Sequence, residues 1–241
     1  MSKFLFSLAL LLAAFSVQAQ KSNVLSSQEK KQGWELLFNG KDVTGWHAYG
    51  GKGVGTAWKI EGDALKLDVP NRAGNKAPNG GDIVSDVIVS GDFEFKADWK
   101  VSPLANSGMF FFVKEAAQYK NMHDTGLELQ VLDDKIYEGA AENKHRAGDF
   151  FGVANARLRE INPVGEWNQV HVVVRKNKLT VTLNGFVVQE HDLTSADWKQ
   201  RIMSSPLKNA PIAQNQFTGT IGLQDWGSTV WYRNLKLRKL K

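Results

Sequence analysis

"VHVVVRKNKLTVTLNGFVVQ", residues 170–189, contains three runs of alternating apolar side chains separated by two turns. The turns are Lys176-Asn177 and Asn184-Gly185, and Asn-Gly between two such runs is a strong signal for a β-hairpin. An alternation with a period of two is typical of strands that have one buried face and one solvated face. The stretch therefore predicts three consecutive antiparallel strands.

The same alternation recurs along the chain. "DFEFKADWKV" (92–101) predicts another half-buried strand, and "GTIGLQDWGSTVWYRNLKLRKL" (219–240) predicts a final hairpin that turns at Trp226-Gly227-Ser228. The only helix signal is a short one in 194–205, with Thr194 as the expected N-cap. Many short strands and 22 glycines favour an all-β fold, a jelly-roll or sandwich of two antiparallel sheets.

The N-terminal segment has the pattern of a secretory signal peptide. Lys3 precedes an apolar run, and Val17-Gln18-Ala19 resembles a cleavage site. We expect residues 1–19 to be this signal, with cleavage near Ala19 and a periplasmic or secreted product. Residues 20–33 are polar and predict a loose lead-in, and 34–241 predict a single domain.

Composition excludes several classes of function. The chain has no cysteine, which excludes disulfides, thiolate metal ligands and a cysteine nucleophile. The formal net charge is +5, but no nucleic-acid recognition motif accompanies it, so we expect no nucleic-acid partner. We also expect no membrane span, because no long apolar run follows the signal. The oligomeric state is not indicated.

The most informative stretch for function is "GLELQVLDD", residues 126–134. In a strand, Leu127, Leu129 and Val131 share one face, whereas Glu128 and Gln130 lie on the other. A carboxylate in a partly apolar groove has a raised pKa and acts as a base near neutral pH. The alternative is that Glu128 and Gln130 are ordinary solvated residues.

Other candidates surround this strand in the sequence. Gly108 in "NSGMFFFV" (106–113) either leaves room for a close approach or marks a β-bulge. His123 and His145 lie in polar loops on the two sides of the strand, where they either converge on Glu128 or are solvated. Trp226 lies in a predicted turn, where core packing is less expected than for the other seven tryptophans. It is therefore the tryptophan for which stacking on a sugar is the main alternative to core packing.

A conventional two-carboxylate glycosidase is disfavoured by the spacing. Jelly-roll glucanases carry E-x-D-x-x-E on one strand, and the matching register here is Glu128, Gln130 and Asp133. Standard hydrolytic geometries need two carboxyl groups about 5–9 Å apart. A divalent metal held by His123, Asp124 and Glu128 is a further alternative, but their spacing fits no standard motif, so no metal ligand and no cofactor is assigned.

An ordered set of motifs gives the chain a family resemblance. The motifs are "WELLFNGKDVTGW" (34–46), "NSGMFFFV" (106–113), "LELQVLDD" (127–134), "HRAGDFFG" (145–152), "PVGEWNQVHV" (163–172), "LNG" (183–185) and "IGLQDWGSTVWYRNLKLRKL" (221–240). Together they resemble the 3-keto-disaccharide hydrolase family. The resemblance implies a concanavalin-like jelly roll that acts on an oligosaccharide or glycoside already oxidised to a ketone at sugar C3.

The resemblance also implies roles for individual residues. Glu128 matches the family's E-x-Q position and would be the base that removes the C2 proton, and His145 would stabilise the enolate or act as the acid. Substrate-binding residues would be Asn106, His123, Gln130, Gln224, Asp225 and Trp226. Three polar family positions are apolar here, at Trp226, in Phe110–Phe112 and in Phe150-Phe151. A non-catalytic carbohydrate-binding module of the same fold therefore stays an alternative.

Overall fold

The computed structural model describes residues 21–71, 76–137, 144–157 and 161–240, with the backbone alone for Tyr137. The expected signal peptide, residues 1–19, lies outside the described residues. The polar stretches 69–82 and 133–148, which their composition predicts to be long loops, are described except for residues 72–75 and 138–143.

Short strands are the main secondary structure of the described chain. They are β1 (Glu35–Leu36), β2 (Trp46–Ala48), β3 (Trp58–Glu61), β4 (Ala64–Leu67), β5 (Ile83–Ser90), β6 (Phe93–Val101), β7 (Asn106–Val113), β8 (Leu127–Leu132), β9 (Asn168–Arg175), β10 (Lys178–Leu183), β11 (Phe186–Asp192), β12 (Thr218–Leu223) and β13 (Val230–Lys239). The helices are α1 (Ser27–Lys31) and α2 (Ala196–Met203), and four 3-10 turns span Met122–Asp124, Asp134–Tyr137, Pro206–Asn209 and Pro211–Gln214.

The strands form two antiparallel sheets. The eight-stranded sheet has the order β11-β10-β9-β6-β13-β4-β3, with β1 also paired to β13. The five-stranded sheet has the order β2-β5-β12-β7-β8. This arrangement confirms the predicted concanavalin-like jelly-roll sandwich.

The meander predicted from residues 170–189 is present as β9, β10 and β11. Asn184 and Gly185 have φ values of 48° and 88°. A type I′ hairpin turn requires positive φ at both central residues, which explains why the sequence has Asn-Gly there.

The core lies between the inner faces of the two sheets. Phe95 and Trp99 of β6 are buried with Leu127 and Leu129 of β8 in one apolar cluster. Each such side chain contributes about 1.5–3 kcal/mol to folding through its burial. Because side chains alternate along a strand, Lys96 of β6 and Glu128 of β8 point to opposite outer faces of the sandwich.

Two predictions near the C-terminus are wrong in detail. The final hairpin does not form, because β12 belongs to the five-stranded sheet and β13 to the eight-stranded sheet. The segment 224–229 instead crosses between sheets, fixed at one end by the Gln224 N–H that donates to the Gly108 carbonyl at 3.0 Å. Helix α2 is capped by Ser195, one residue after the expected Thr194.

The expected loose lead-in is ordered from residue 21 onward. Asn23 is buried, and its amide oxygen accepts from the Asn234 N–H at 2.8 Å. Helix α1 has a capping box at Ser26, and its Glu29 carboxylate accepts from Lys236 at 2.9 Å. Polar residues therefore attach this segment to β13 through hydrogen bonds, which hydrophobic patterning does not reveal. No helix of the described chain is long and apolar enough to cross a membrane.

Candidate functional site

The outer face of the five-stranded sheet carries a group of buried polar side chains. Asn106 of β7, Glu128 and Gln130 of β8, and Gln224 just after β12 are each at most 6% exposed. They come together because β7 pairs with both β8 and β12. Residues 106, 128 and 130 therefore point to the same face, opposite the core.

Gly108 provides the space that Glu128 occupies. A Cβ atom at position 108 would lie 2.5 Å from Glu128 Oε1. The pairing of β7 with β8 runs from Asn106 to Phe111 without a register shift. The predicted close approach is therefore confirmed, and the alternative of a bulge at Gly108 is wrong.

The environment of Glu128 makes its carboxyl group unusually basic. Burial raises its pKa to about 8, and the negative charge of Asp82 adds to this effect. Hydrogen bonds from Gln130 and Gln224 act in the opposite direction without cancelling it. The Gln130 amide donates to Glu128 Oε1 at 2.7 Å, which fixes the orientation of the carboxyl group.

The segment 144–157 lies beside β8 and supplies one wall of the site. Two backbone hydrogen bonds join it to that strand. The Phe151 N–H donates to the Glu128 carbonyl at 3.0 Å, and the Gly148 N–H donates to the Gln130 carbonyl at 2.9 Å. The fully buried Asp149 carboxylate accepts from the Ala156 N–H at 2.6 Å. This pairing brings the rings of His145 and Phe151 together, 4.7 Å apart between centroids.

The opposite wall comes from the 3-10 turn Met122–Asp124. Met122 is buried in a small apolar cluster with Val84, Phe110 and Val113, on the outer side of the five-stranded sheet. This anchor holds the adjacent His123, whose side chain is 47% exposed, at the edge of the site.

These elements enclose one cleft of about 270 Å³. Its lining residues are Asn106, His123, Glu128, Gln130, His145, Phe151, Gln224 and Trp226. The structure thus brings together seven of the eight side chains predicted as site residues. Their roles stay predictions. The floor is polar, whereas Phe151 and Trp226 add aromatic surface.

Asp225 is the exception and requires a correction. It is fully buried, and its carboxylate accepts from the backbone N–H groups of Ala77 at 2.9 Å, Gly81 at 2.7 Å and Gly227 at 2.9 Å. It is not among the residues that line the cleft. Asp225 therefore holds the loop before β5 in place and is not positioned for the predicted contact with a substrate.

Asp82 was missed by the sequence analysis. It is 8% exposed, accepts from the Asp225 N–H at 2.9 Å, and acts electrostatically on Glu128. Burial raises the pKa of Asp82 as well. The available signal was its place at the end of the long Gly/Asn-rich loop 69–82, but nothing local connects this loop to β8.

A family model described as a 3-keto-alpha-glucoside-1,2-lyase-like domain matches residues 33–238. The chain belongs to this family.

Individual relatives agree with this membership. A 3-keto-disaccharide hydrolase of Bacteroides thetaiotaomicron is 27% identical over 246 residues, which cover 93% of this chain and 84% of the relative. A solved structure from Parabacteroides distasonis, provisionally assigned as a glycosyl hydrolase, is 31% identical with a TM-score of 0.78 and covers 92% of this chain and 100% of that one. A Bacillus subtilis protein with a galectin-like fold is 13% identical over 90% of this chain and 94% of its own, with a TM-score of 0.50, which shows the fold alone.

In the described part of the chain, no group of three or more His, Asp or Glu side chains is arranged to hold a metal ion. The alternative that His123, Asp124 and Glu128 bind a divalent metal together therefore lacks structural support. The nearest carboxylate contact of His123 is with Asp124, at 3.7 Å between Nε2 and Oδ1.

Proposed function

We propose that the protein is an exported enzyme that cleaves 3-keto-glycosides by elimination and hydration, with Glu128 as the base. The observation that supports this most strongly is one buried carboxyl group at the floor of a sugar-sized cleft, with a pKa of about 8. The family description, a 3-keto-glucoside lyase, points to the same substrate class.

The chemistry requires one base because the substrate arrives activated. A ketone at C3 acidifies the hydrogen on C2. The Glu128 carboxylate takes this proton, and the electron pair of the C–H bond forms an enolate whose charge rests on the C3 oxygen. The enolate then expels the aglycone oxygen from C1, which leaves a C1–C2 double bond conjugated with the ketone. Addition of water across this double bond, with oxygen to C1 and hydrogen to C2, completes a net hydrolysis.

The raised pKa suits Glu128 to this step. A carboxylate whose conjugate acid has a pKa of about 8 is a stronger base than an ordinary glutamate, and proton transfer becomes faster as base strength increases. The amide of Gln130 limits the rotation of the carboxyl group, so one oxygen keeps a fixed direction. Gly108 leaves the side chain the space it needs.

The remaining cleft residues match the other requirements of the reaction. The enolate oxygen needs a donor aimed at it, and the leaving oxygen needs a proton. His145 is our choice for one of these tasks, with His123 on the opposite wall for the other. Asn106, Gln130 and Gln224 supply amide groups for sugar hydroxyls. Trp226 and Phe151 offer aromatic surface to the C–H faces of the sugar or its aglycone.

A paired-carboxylate mechanism receives less support from the geometry. The second carboxylate near Glu128 is Asp82, which is engaged by the Asp225 N–H and is not among the cleft-lining residues. Retaining and inverting glycosidases need both carboxyl groups at the scissile bond.

The direct test compares an oxidised with an unoxidised substrate. Purified protein is incubated with 4-nitrophenyl 3-keto-glucoside and with 4-nitrophenyl glucoside, and nitrophenolate release is followed against an enzyme-free control. We expect release from the keto sugar only. Glu128→Gln should lower kcat/KM about 10²- to 10⁴-fold, because it removes the base while conserving the shape of the side chain.

A matched control is Glu94→Gln, which changes a carboxylate on the opposite face of the sandwich and should leave turnover within about twofold. Turnover of the unoxidised glucoside, retained in Glu128→Gln, would contradict the proposal. Calorimetric binding of the keto sugar without any release would instead support the non-catalytic carbohydrate-binding module.

A further inference from the structure

A second groove, of about 500 Å³, lies on the outer face of the eight-stranded sheet. Outward-facing residues of β6, β9, β10 and β13 form it, together with the start of the described chain. Its lining residues are Lys21, Ser22, Lys96, Asp98, Gln169, Val170, His171, Thr182, Gly185, Arg233, Asn234 and Lys236. None of these residues belongs to the cleft around Glu128, which opens on the other side of the sandwich.

The groove carries an excess of positive charge. Four cationic side chains, Lys21, Lys96, Arg233 and Lys236, line it, against the single carboxylate of Asp98. Arg233 is paired with Asp98 at 3.2 Å and with Asp63 at 3.7 Å, and Lys236 is paired with Glu29. In the described part of the chain neither Lys21 nor Lys96 has a carboxylate within salt-bridge distance, so their two charges are the ones left without a counter-charge.

Lys96 contributes most to this excess of positive charge. In the sheet it is directly opposite Lys236, and on its other side it pairs with His171. Like charges directly opposite each other destabilise a sheet. Lys236 is compensated by Glu29 at 2.9 Å, but in the described part of the chain no carboxylate lies within salt-bridge distance of Lys96. Its Nζ lies 4.6 Å from the ring centroid of Trp34.

The uncharged lining is typical of sugar recognition. Gln169 and Asn234 provide amides, and Thr182 provides a hydroxyl. Trp167 lies beside the groove, with its ring 4.1 Å from the guanidinium carbon of Arg233. Cations cover the nearby indole rings of Trp34 and Trp167, so a neutral sugar cannot stack on them without displacing those cations.

We propose that this groove is a second carbohydrate site that binds an acidic oligosaccharide, with Lys96 and Arg233 on its carboxylate or sulfate groups and Gln169, Thr182 and Asn234 on its hydroxyls. The groove volume falls within the range of about 300–1,000 Å³ of ligand sites and accommodates more than one sugar ring. Because the groove and the cleft lie on opposite faces, the site anchors the protein to an acidic glycan and does not extend the substrate pocket.

The test measures binding and needs no turnover, so it is independent of the proposed reaction. Tetragalacturonate, a sulfated maltotetraose and neutral maltotetraose are titrated into the full-length mature protein by calorimetry at low salt. We expect at least one acidic tetrasaccharide to bind, the neutral one not to bind, and the affinity to fall when salt is raised. The carboxylate and sulfate probes distinguish which anionic group the groove accepts.

Variants localise the binding. Lys96→Ala should weaken it about tenfold to a hundredfold, the range for one hydrogen bond to a charged group, and Lys96→Arg should retain it. Lys199→Ala, which removes an exposed lysine of helix α2, is the control with the same change in net charge and should alter affinity by less than about twofold. No binding of either acidic probe, equal effects of Lys96→Ala and Lys199→Ala, or equal binding of the neutral probe would each overturn the proposal.

Discussion

Glu94 of β6 and Glu128 of β8 occupy equivalent positions in two alternating strands. The pKa values of their carboxyl groups are nevertheless shifted in opposite directions from that of an ordinary glutamate. Burial alone would raise the pKa of Glu94, but hydrogen bonds from Arg238 and His171 outweigh it and lower the pKa. Burial raises the pKa of Glu128 to about 8, and its amide partners do not reverse this shift.

The difference comes from what covers each outer face. On the eight-stranded sheet, Glu94 accepts hydrogen bonds from groups on adjacent strands, the Arg238 guanidinium at 2.5 Å and the His171 ring, whose own pKa is lowered by burial, at 3.0 Å. On the five-stranded sheet, three segments of irregular chain, around 76–82, 121–125 and 144–157, flank Glu128, and its hydrogen-bonding neighbours are neutral amides. The alternation predicts which way a side chain points, whereas the covering segments determine its chemistry.

The largest expected effect is on stability as a function of pH. The folded-state pKa of Glu128, about 8, lies above the ordinary glutamate value of 4.5, so the folded protein holds a proton that the unfolded chain has lost, and stability falls as pH rises between these two values. Glu128→Gln removes this loss. Relative to wild type, it should gain about 4 kcal/mol in unfolding free energy between pH 5 and pH 9, at 1.36 kcal/mol for each pKa unit.

Glu94→Gln is the opposite case, because the pKa of Glu94 is lowered by folding whereas that of Glu128 is raised. A lowered pKa contributes stability above the unfolded-state pKa, and this contribution is lost as pH falls through the folded-state pKa. The variant should therefore be less stable than wild type at pH 7, with a smaller deficit near pH 3. Urea titrations at each pH measure both differences, and parallel curves for the two variants would contradict the comparison.

The second effect concerns the space beside Glu128. Gly108→Ala places a Cβ 2.5 Å from Glu128 Oε1 and should cost about 1–3 kcal/mol of stability, with a loss of turnover as the carboxyl group is displaced. Gly51→Ala is the matched control, since its Cβ would be 3.5 Å from its nearest neighbour and its φ is not positive. Thermal melts and kcat/KM check both. Equal tolerance of the two substitutions would exclude a positioning role for Gly108.

A smaller effect, on KM, is expected to distinguish Trp226 in the cleft from Trp231 on the eight-stranded sheet. Trp226 lines the cleft, whereas Trp231 is covered by Lys100, 4.6 Å from its ring centroid. Trp226→Ala should raise KM for a 3-keto-glycoside about threefold to tenfold, the range for an aromatic contact of about 0.5–1.5 kcal/mol. Trp231→Ala should leave KM unchanged. Kinetics with both variants decide this, and a KM effect confined to Trp231→Ala would reverse the assignment.

The smallest effect concerns Asp82. Asp82→Asn removes a negative charge that raises the pKa of Glu128, so the rise of kcat/KM with pH should move to lower pH. A shift of less than about one unit is expected, because burial is the larger cause. A pH–rate profile from pH 6 to pH 10 measures it. An upward shift would show that Asp82 acts on Glu128 mainly by another route.

Local pattern was sufficient for the strands and for the orientation of Glu128. The alternation of apolar and polar residues predicts β6 and the β9–β11 meander. Glu128 lies one position from both Leu127 and Leu129, which are buried, so its side chain is predicted to point to the outer face. These features depend only on the period of two in a strand. The polarity of residues 20–33, by contrast, concealed their packing against β13, because hydrogen-bonded polar contacts leave no periodic signal.

Non-local pairing explains what the sequence could not reveal. The bonds of Phe151 and Gly148 to the backbone of β8 join segments about twenty residues apart, and the bond between Asp82 and Asp225 spans 143 positions. The family resemblance predicts Asp225 as a substrate-binding residue because it adjoins Gln224 in one motif. Alternation separates the two side chains, so Gln224 faces the cleft whereas Asp225 is buried under the loop before β5.

Deuterium incorporation at sugar C2 tests the central claim most directly. A 3-keto-glycoside is cleaved in D₂O, and the released 3-keto sugar is analysed by NMR at early times against an enzyme-free sample. If Glu128 removes the C2 proton before the aglycone leaves, the product carries deuterium at C2, and Glu128→Gln forms neither the product nor the label. Cleavage by wild type with the original hydrogen retained at C2 would contradict the mechanism.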